Sequence, residues 1–80
     1  MYLSITEVKP AKDYLFHLTF ENGEKRLFDM FPYLNIGIFQ ELKDDKMFRT
    51  VKTNFDTIEW DNEADIDPEI LYKGSKMIEK

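Results

Sequence analysis

An alternating segment followed by an Asn-Gly pair constrains the fold of this chain more than any other feature. In residues 13–20, every second side chain is large and apolar, as in a β-strand that buries one face. Asn22 and Gly23 follow, and both tolerate the positive φ angles of a tight hairpin turn. Residues 24–30 then return as the next strand. The pattern predicts a hairpin. One face of its first strand carries the side chains of Tyr14, Phe16, Leu18 and Phe20.

The register of this hairpin depends on the length of its loop. A two-residue loop would set Leu18 opposite Leu27. A three-residue loop with a bulge at Gly23 would instead set Phe16 opposite Phe28. We favour the three-residue loop, because it gathers more aromatic surface on one side of the sheet.

Short elements are predicted on either side of the hairpin. A first strand ends at Pro10, and helical turns beyond the hairpin include one capped by Asp44. Two further strands are joined by a tight turn near Asp56. These segments are strands 2–9, 50–55 and 57–60 and the helical residues 38–43.

The sequence from Asp67 predicts a C-terminal helix. Asp67 suits the N-cap, and Pro68 suits the first helical position. Ile70 and Leu71 are expected to dock this helix on the sheet. Gly74 then weakens or ends the helix, and residues 74–80 are expected to fray.

Length and pattern together predict one α+β domain over residues 1–80. Its architecture is a small antiparallel sheet of about five strands, with short helices on one face and a C-terminal helix. The chain has no cysteine, and its first residues lack the basic and apolar regions of a signal peptide. No apolar run approaches the ~20 residues of a membrane span. We therefore expect a soluble, cytoplasmic protein.

The negative charge of the chain is confined to one segment. Of sixteen acidic residues, seven lie between Asn54 and Tyr72, where there is no Lys or Arg. The rest of the chain carries nine acidic and eleven basic residues. Nucleic-acid binding is not expected, because it depends on clustered Lys and Arg. The acidic residues of this segment are Asp56, Glu59, Asp61, Glu63, Asp65, Asp67 and Glu69.

The sequence offers no catalytic, metal or cofactor site. The only histidine, His17, is predicted on the strand face opposite Phe16, and no serine lies in a nucleophile elbow. A calcium loop starting at Asp61 fails, because Ile66 replaces its glycine and Tyr72 replaces its bidentate glutamate. The glycines do not form a phosphate-binding loop. We expect a protein that is not an enzyme and holds no cofactor.

A binding role is the remaining hypothesis, with candidate residues around Trp60. As a structural residue, Trp60 would pack over the sheet edge, whereas as a recognition residue it would anchor a partner beside a charged rim. The acidic segment favours a basic partner protein. The alternative is a domain that binds a small ligand or metal in a dimer groove, and a homodimer fits either hypothesis. The candidate partner-binding residues are Glu59, Trp60, Asp61, Glu63 and Asp65.

Several short motifs follow one another along the chain in a fixed order. They are Phe20-x-Asn22-Gly23, Phe28-Asp29, Leu42-x-Asp44, Phe48-x-x-Val51, Ile58-Glu59-Trp60 and Ala64-Asp65-Ile66-x-Pro68-Glu69-x-Leu71. Their order and spacing resemble the bacterial domain of unknown function 2442 family, from residue 2 to about residue 73. Members commonly follow the tryptophan with Pro, a variable residue and Gly, where this chain has Asp61, Asn62 and Glu63.

This resemblance implies a small α+β fold with no established activity. It also implies a protein partner encoded by an adjacent gene, in an arrangement similar to toxin–antitoxin pairs. Some longer relatives carry a helix-turn-helix after this domain. A DNA-binding role is not carried over to this chain, because residues 74–80 leave no room for that motif.

Overall fold

Two antiparallel sheets make up the fold. The computed structural model describes residues 3–79, so the predicted features at Tyr2 and Lys80 lie outside the described residues. The first sheet has the order β1-β2-β3-β7 and the second the order β4-β5-β6. The strands are β1 (Ile5–Pro10), β2 (Leu15–Phe20), β3 (Lys25–Asp29), β4 (Lys52–Asn54), β5 (Thr57–Glu59), β6 (Asp65–Ile66) and β7 (Lys76–Glu79).

Short helices connect and cover these sheets. Two 3-10 helical segments, Phe31–Tyr33 and Gly37–Lys43, lead into α1 (Asp45–Phe48), and α2 (Pro68–Gly74) precedes β7. Both predicted N-caps are confirmed. The Asp44 side chain accepts a hydrogen bond from the Lys46 backbone N–H, and Asp67 accepts one from Glu69. The α+β class is therefore confirmed, with its strands divided between two sheets rather than gathered in one.

The central hairpin has the three-residue loop. The Phe20 backbone N–H donates to the Glu24 carbonyl at 2.9 Å, and Gly23 has a φ of 89°. Phe16 consequently pairs with Phe28, and their rings stack with centroids 5.2 Å apart. The favoured register is thus confirmed. It directs alternate residues of β2 into the interior, where Phe16 and Leu18 are fully buried.

One hydrophobic core joins both sheets and both α-helices. Phe16 of β2 lies at its centre, within 6.1 Å of the Phe48 and Trp60 ring centroids. Because α1 supplies Phe48 and α2 supplies the fully buried Leu71, packing fixes two helices too short to be stable alone. The fully buried large side chains are Phe16, Leu18, Phe20, Phe28, Met30, Leu42, Phe48, Ile58, Trp60 and Leu71.

Lys76–Glu79 form a strand rather than the frayed end expected of residues 74–80, of which Lys80 lies outside the described residues. β7 pairs with β3, setting Met77 opposite Arg26. Arg26 also stabilises the turn that precedes β7. Its Nε donates to Ser75 Oγ at 2.7 Å and its Nη2 donates to the Ser75 carbonyl at 2.9 Å. Its guanidinium lies 4.3 Å from the centre of the Tyr72 ring. These non-local contacts order a segment whose own sequence favours fraying.

Glu24 completes this polar cluster, whose contacts favour its charged form. Its carboxylate accepts hydrogen bonds from Asn22, Arg26 and Tyr72. Desolvation acts to raise the pKa of Glu24, but these hydrogen bonds and the Arg26 charge outweigh it, so the pKa lies below its usual value. The carboxylate therefore stabilises the fold above the unfolded-state pKa, and this contribution is lost as the pH falls through the folded-state pKa.

We expect the Glu24→Gln variant to be less stable than the wild type at neutral pH and to approach wild-type stability in acid. The difference should shrink below a pH of about 4, since Glu24 is then increasingly protonated in both states. Urea unfolding followed by circular dichroism across this range measures it. Glu7→Gln, which changes an exposed carboxylate, is the matched control. A difference that stayed constant across the range would contradict the role given to Glu24.

Candidate functional site

Trp60 lies in the core, in keeping with its structural alternative, and its side chain is not exposed as a partner anchor would be. Its side chain is 1% exposed, and its Nε1 donates to the Phe48 carbonyl at 3.0 Å. Its ring also makes edge contacts with Phe16 and Phe39. The indole is thus covered on several sides and has its one polar group satisfied. Its structural role accounts for its presence at the end of β5.

The four acidic candidates fall into two pairs. Glu59 is half-buried and accepts a hydrogen bond from Asn54 Nδ2 at 2.8 Å, while the Asp61 carboxylate lies 3.4 Å from Lys52 Nζ. The side chains of Glu63 and Asp65 are exposed and make no hydrogen bond or ion pair within residues 3–79. Glu63 and Asp65 are therefore the two candidates whose charges the described chain leaves without a partner.

The register of the second sheet sorts its side chains by polarity. Ile58 pairs with Ile66, and both are buried against the core. Glu59 pairs with Lys52 on one side and Asp65 on the other, which places these three residues on the opposite face. The small sheet thus turns an apolar row inward and a charged row outward.

A tight turn after Trp60 presents Glu63. The Trp60 N–H donates to the Ala64 carbonyl and the Glu63 N–H to the Trp60 carbonyl, each at 2.9 Å. Asn62 Oδ1 accepts from the Ala64 N–H. Glu63 has a φ of 71°, a left-handed conformation that favours glycine. A charged side chain therefore occupies a position where the backbone conformation would favour Gly.

The remaining acids of the segment support the fold. The Ser4 hydroxyl donates to Asp56 at 3.3 Å, and Asp67 caps α2. Glu69 lies 3.8 Å from Lys73 Nζ, one helical turn away. The acidic segment is therefore not uniformly available for a partner, because much of it is used in turns, a cap and surface ion pairs.

An apolar groove that no sequence pattern predicted adjoins Asp65. Its volume is about 190 Å³. Ile70 forms part of its wall and is 50% exposed, which corrects the expectation that Ile70 docks α2 on the sheet. Only Leu71 does so, because neighbouring helix residues point about 100° apart. We call this feature the acidic groove; its lining residues are Tyr33, Phe39, Asp65, Ile66, Asp67 and Ile70.

The sequence gives only a weak signal for this groove. Its walls come from three separate segments, and Ile66 belongs to a two-residue strand that is too short to show an alternating pattern. The one available signal is the pair Ile70-Leu71, since a helix of seven residues cannot bury both equally.

Comparison with known proteins now identifies the family. The family model for a protein of unknown function, DUF2442, matches residues 5–77. The chain belongs to the DUF2442 family. No curated protein and no solved structure matches the chain. The matched range of this DUF2442 chain contains the whole acidic groove, together with Glu63 and Asp65.

Two further cavities in the DUF2442 chain share Tyr14 and Phe31. Their volumes are about 360 and 330 Å³. Phe31 is 65% exposed, and the Tyr14 hydroxyl donates to the Lys43 carbonyl. Asp13 and Tyr14 both have positive φ angles in the turn before β2. These cavities are large enough for a small ligand.

Two candidates were weighed for chemistry: His17 as a catalytic base and the carboxylates from Asp61 onward as metal ligands. His17 is exposed on the outer face of the large sheet, where it pairs with Lys9 and Leu27. Within residues 3–79, no three His, Cys, Asp or Glu side chains form a group that could hold a metal ion. In the same part of the chain, no helix is long and apolar enough to cross a membrane.

Proposed function

We propose that this DUF2442 chain is a non-enzymatic interaction module of the bacterial cytoplasm that binds a basic partner protein. The partner-binding surface is the outward row of the small sheet and the adjoining turn. The observation that carries the proposal is the pair of exposed carboxylates, Glu63 and Asp65, that have no partner within residues 3–79. The partner is encoded by an adjacent gene, and the module acts in the manner of an antitoxin.

The local charge supports a basic partner. Residues 55–71 contain no Lys or Arg, and Lys52 on the outward row is paired with Asp61 at 3.4 Å, so acidic side chains outnumber basic ones at this surface. A surface of one sign accelerates encounter with a partner of the opposite sign and disfavours partners of the same sign. The turn adds to this argument, because conformations such as that of Glu63 concentrate at functional sites.

Binding through this surface is expected to weaken as salt is added. Exposed charges are screened over about 8–10 Å at physiological ionic strength. We expect a tagged chain to retain a basic protein from lysate of its source bacterium at low salt and to release it at high salt. Mass spectrometry identifies the retained protein, and titration calorimetry of the purified pair gives the affinity at each salt concentration.

A matched pair of double variants tests the surface. Combining Glu63→Gln with Asp65→Asn removes two negative charges from the proposed surface and should weaken the purified complex about tenfold or more. Combining Glu7→Gln with Asp13→Asn removes the same charge from the large sheet and the turn before β2, and should have a much smaller effect. Asn suits the positive φ of Asp13. Equal effects of the two double variants would refute the proposed surface.

Binding of a small ligand is the alternative function. The two cavities at Tyr14 and Phe31 favour it, because each exceeds the roughly 300 Å³ at which ligand pockets begin. Failure to retain any specific protein, at low or high salt, would shift the assignment to this alternative. Glu63 and Asp65 would then be ordinary solvated side chains.

A further inference from the structure

The acidic groove has a rigid apolar wall. Tyr33 stacks on Phe28 with ring centroids 5.6 Å apart, and Phe39 contacts the edge of Trp60 at 6.3 Å. Ile66 is buried by its place in the small sheet. Three of the four apolar lining residues are thus fixed by the core, so the groove is largely formed before any partner arrives.

The rim of the groove carries only negative charge. Asp65 and Asp67 line it, and no Lys or Arg does. The Asp65 carboxylate has no partner within residues 3–79, whereas Asp67 Oδ1 accepts the Glu69 N–H at 2.8 Å. Asp65 is therefore the rim carboxylate free to receive a cation, and the field of Asp67 adds to it.

The size of the groove limits what it can hold. A volume of about 190 Å³ is below the roughly 300–1,000 Å³ of small-molecule pockets. It suits a single protein side chain, the way one anchor residue fills a pocket at the centre of an interface. The apolar wall favours an aliphatic side chain in the groove, and the acidic rim favours a cation beside it.

Building on the proposed function, we infer that the acidic groove receives an aliphatic side chain of the partner, flanked by a Lys or Arg that contacts Asp65. The partner segment is short and combines apolar and basic residues. The groove supplies selectivity for the aliphatic residue, and the surrounding acidic surface supplies attraction to the basic ones. The two contributions can be separated, because salt weakens the second far more than the first.

An NMR titration of the isotope-labelled chain tests this inference. The probe is the capped peptide Gly-Lys-Leu-Lys-Gly, compared with one in which Ser replaces Leu and one in which Glu replaces both Lys. We expect the Leu peptide to shift the backbone amides of residues 65–67, 69 and 70 and those of Tyr33 and Phe39. The Ser peptide should bind about tenfold more weakly, and the Glu peptide should produce no shifts at these amides.

Substitutions in the groove show which residues contribute to binding of the Leu peptide. Ile70→Ser and Asp65→Asn should each weaken the Leu peptide several-fold, since they alter the wall and the rim. Ile36→Ser is the control, because Ile36 is 56% exposed and does not line the groove. An equal loss in the control variant would overturn the inference.

The outcomes separate this inference from the proposed function. Equal shifts with the Leu and Ser peptides would show attraction by charge alone. That result would overturn the inference that the groove receives an aliphatic side chain, but would leave the acidic surface as a binding surface for a basic partner. Absence of shifts, or shifts confined to other residues, would also overturn the assignment of the acidic groove as the binding site. Shifts of the groove amides on dilution of the chain alone would mean that a second copy fills it, and would overturn the basic-partner assignment. The proposed function fails separately, if the two double variants affect the purified complex equally.

Discussion

Trp60→Ala is expected to lower the free energy of unfolding by about 3–5 kcal/mol. The indole is 1% exposed and packs among Phe16, Phe39 and Phe48, so its removal leaves a cavity that these rings cannot fill. It also leaves the Phe48 carbonyl without its donor. Small domains have a total stability of only about 5–15 kcal/mol, so a substantial fraction of the variant should be unfolded at physiological temperature.

Urea unfolding followed by far-ultraviolet circular dichroism measures this loss, since the chain has no other tryptophan to report by fluorescence. Trp60→Phe separates the two causes. It retains much of the aromatic volume but removes the indole N–H, and should cost about 1–3 kcal/mol. A Trp60→Ala variant of nearly wild-type stability would mean that the indole is not a core residue and would restore it as a candidate for partner contact.

The central hairpin could be predicted because its determinants are local. The alternation of residues 16–20 defines a buried face, whereas Tyr14 lies in the turn before β2 and is only partly buried. Gly23 supplies the positive φ that the loop requires. Aromatic pairing then selected between two registers, and Phe16 does lie opposite Phe28. The caps Asp44 and Asp67 were predictable for the same reason, since each acts on a backbone N–H two residues away.

The burial of Trp60 could not be predicted from its neighbours in sequence. Glu59 and Asp61 flank it, and both have polar contacts with the strand β4. The indole nonetheless turns inward, because its packing partners come from the hairpin, from Phe39 and from α1. A charged local sequence therefore says little about a side chain whose surroundings are set by distant segments.

The same limit explains the missed strands β6 and β7. β6 has two residues, and its pairing with β5 depends on the turn that follows Trp60. β7 is held by contacts between Arg26 and the residue before it, Ser75. Neither segment has an alternating apolar pattern strong enough to predict a strand from its sequence. Each becomes a strand only by pairing with its neighbour in the folded chain.

The acidic segment shows why charge counting overestimates a binding surface. Seven carboxylates lie in it, yet structural roles occupy those of Asp56, Glu59, Asp61, Asp67 and Glu69. Exposed ion pairs contribute little to stability, about 0–1 kcal/mol each, but they do reduce the charge that a partner encounters. The candidate surface therefore narrows to Glu63, Asp65 and the groove beside Asp65.

Leu71→Ala is expected to lower the free energy of unfolding by about 2–5 kcal/mol, whereas Ile70→Ala should change it by less than about 1 kcal/mol. The two residues are adjacent on α2, but Leu71 is fully buried and Ile70 is 50% exposed in the wall of the acidic groove. Urea unfolding of both variants beside the wild type gives the comparison. Equal losses would show that α2 docks through both side chains.

The same pair of variants separates folding from recognition. Ile70→Ala should keep the wild-type fold yet weaken the Leu-containing peptide, because it removes an exposed groove wall without opening the core. Leu71→Ala, measured at a temperature where it remains folded, should bind that peptide nearly as well as the wild type. The opposite assignment of effects would place the recognition surface on another face of α2. One helical step of about 100° thus divides the two roles between neighbouring residues.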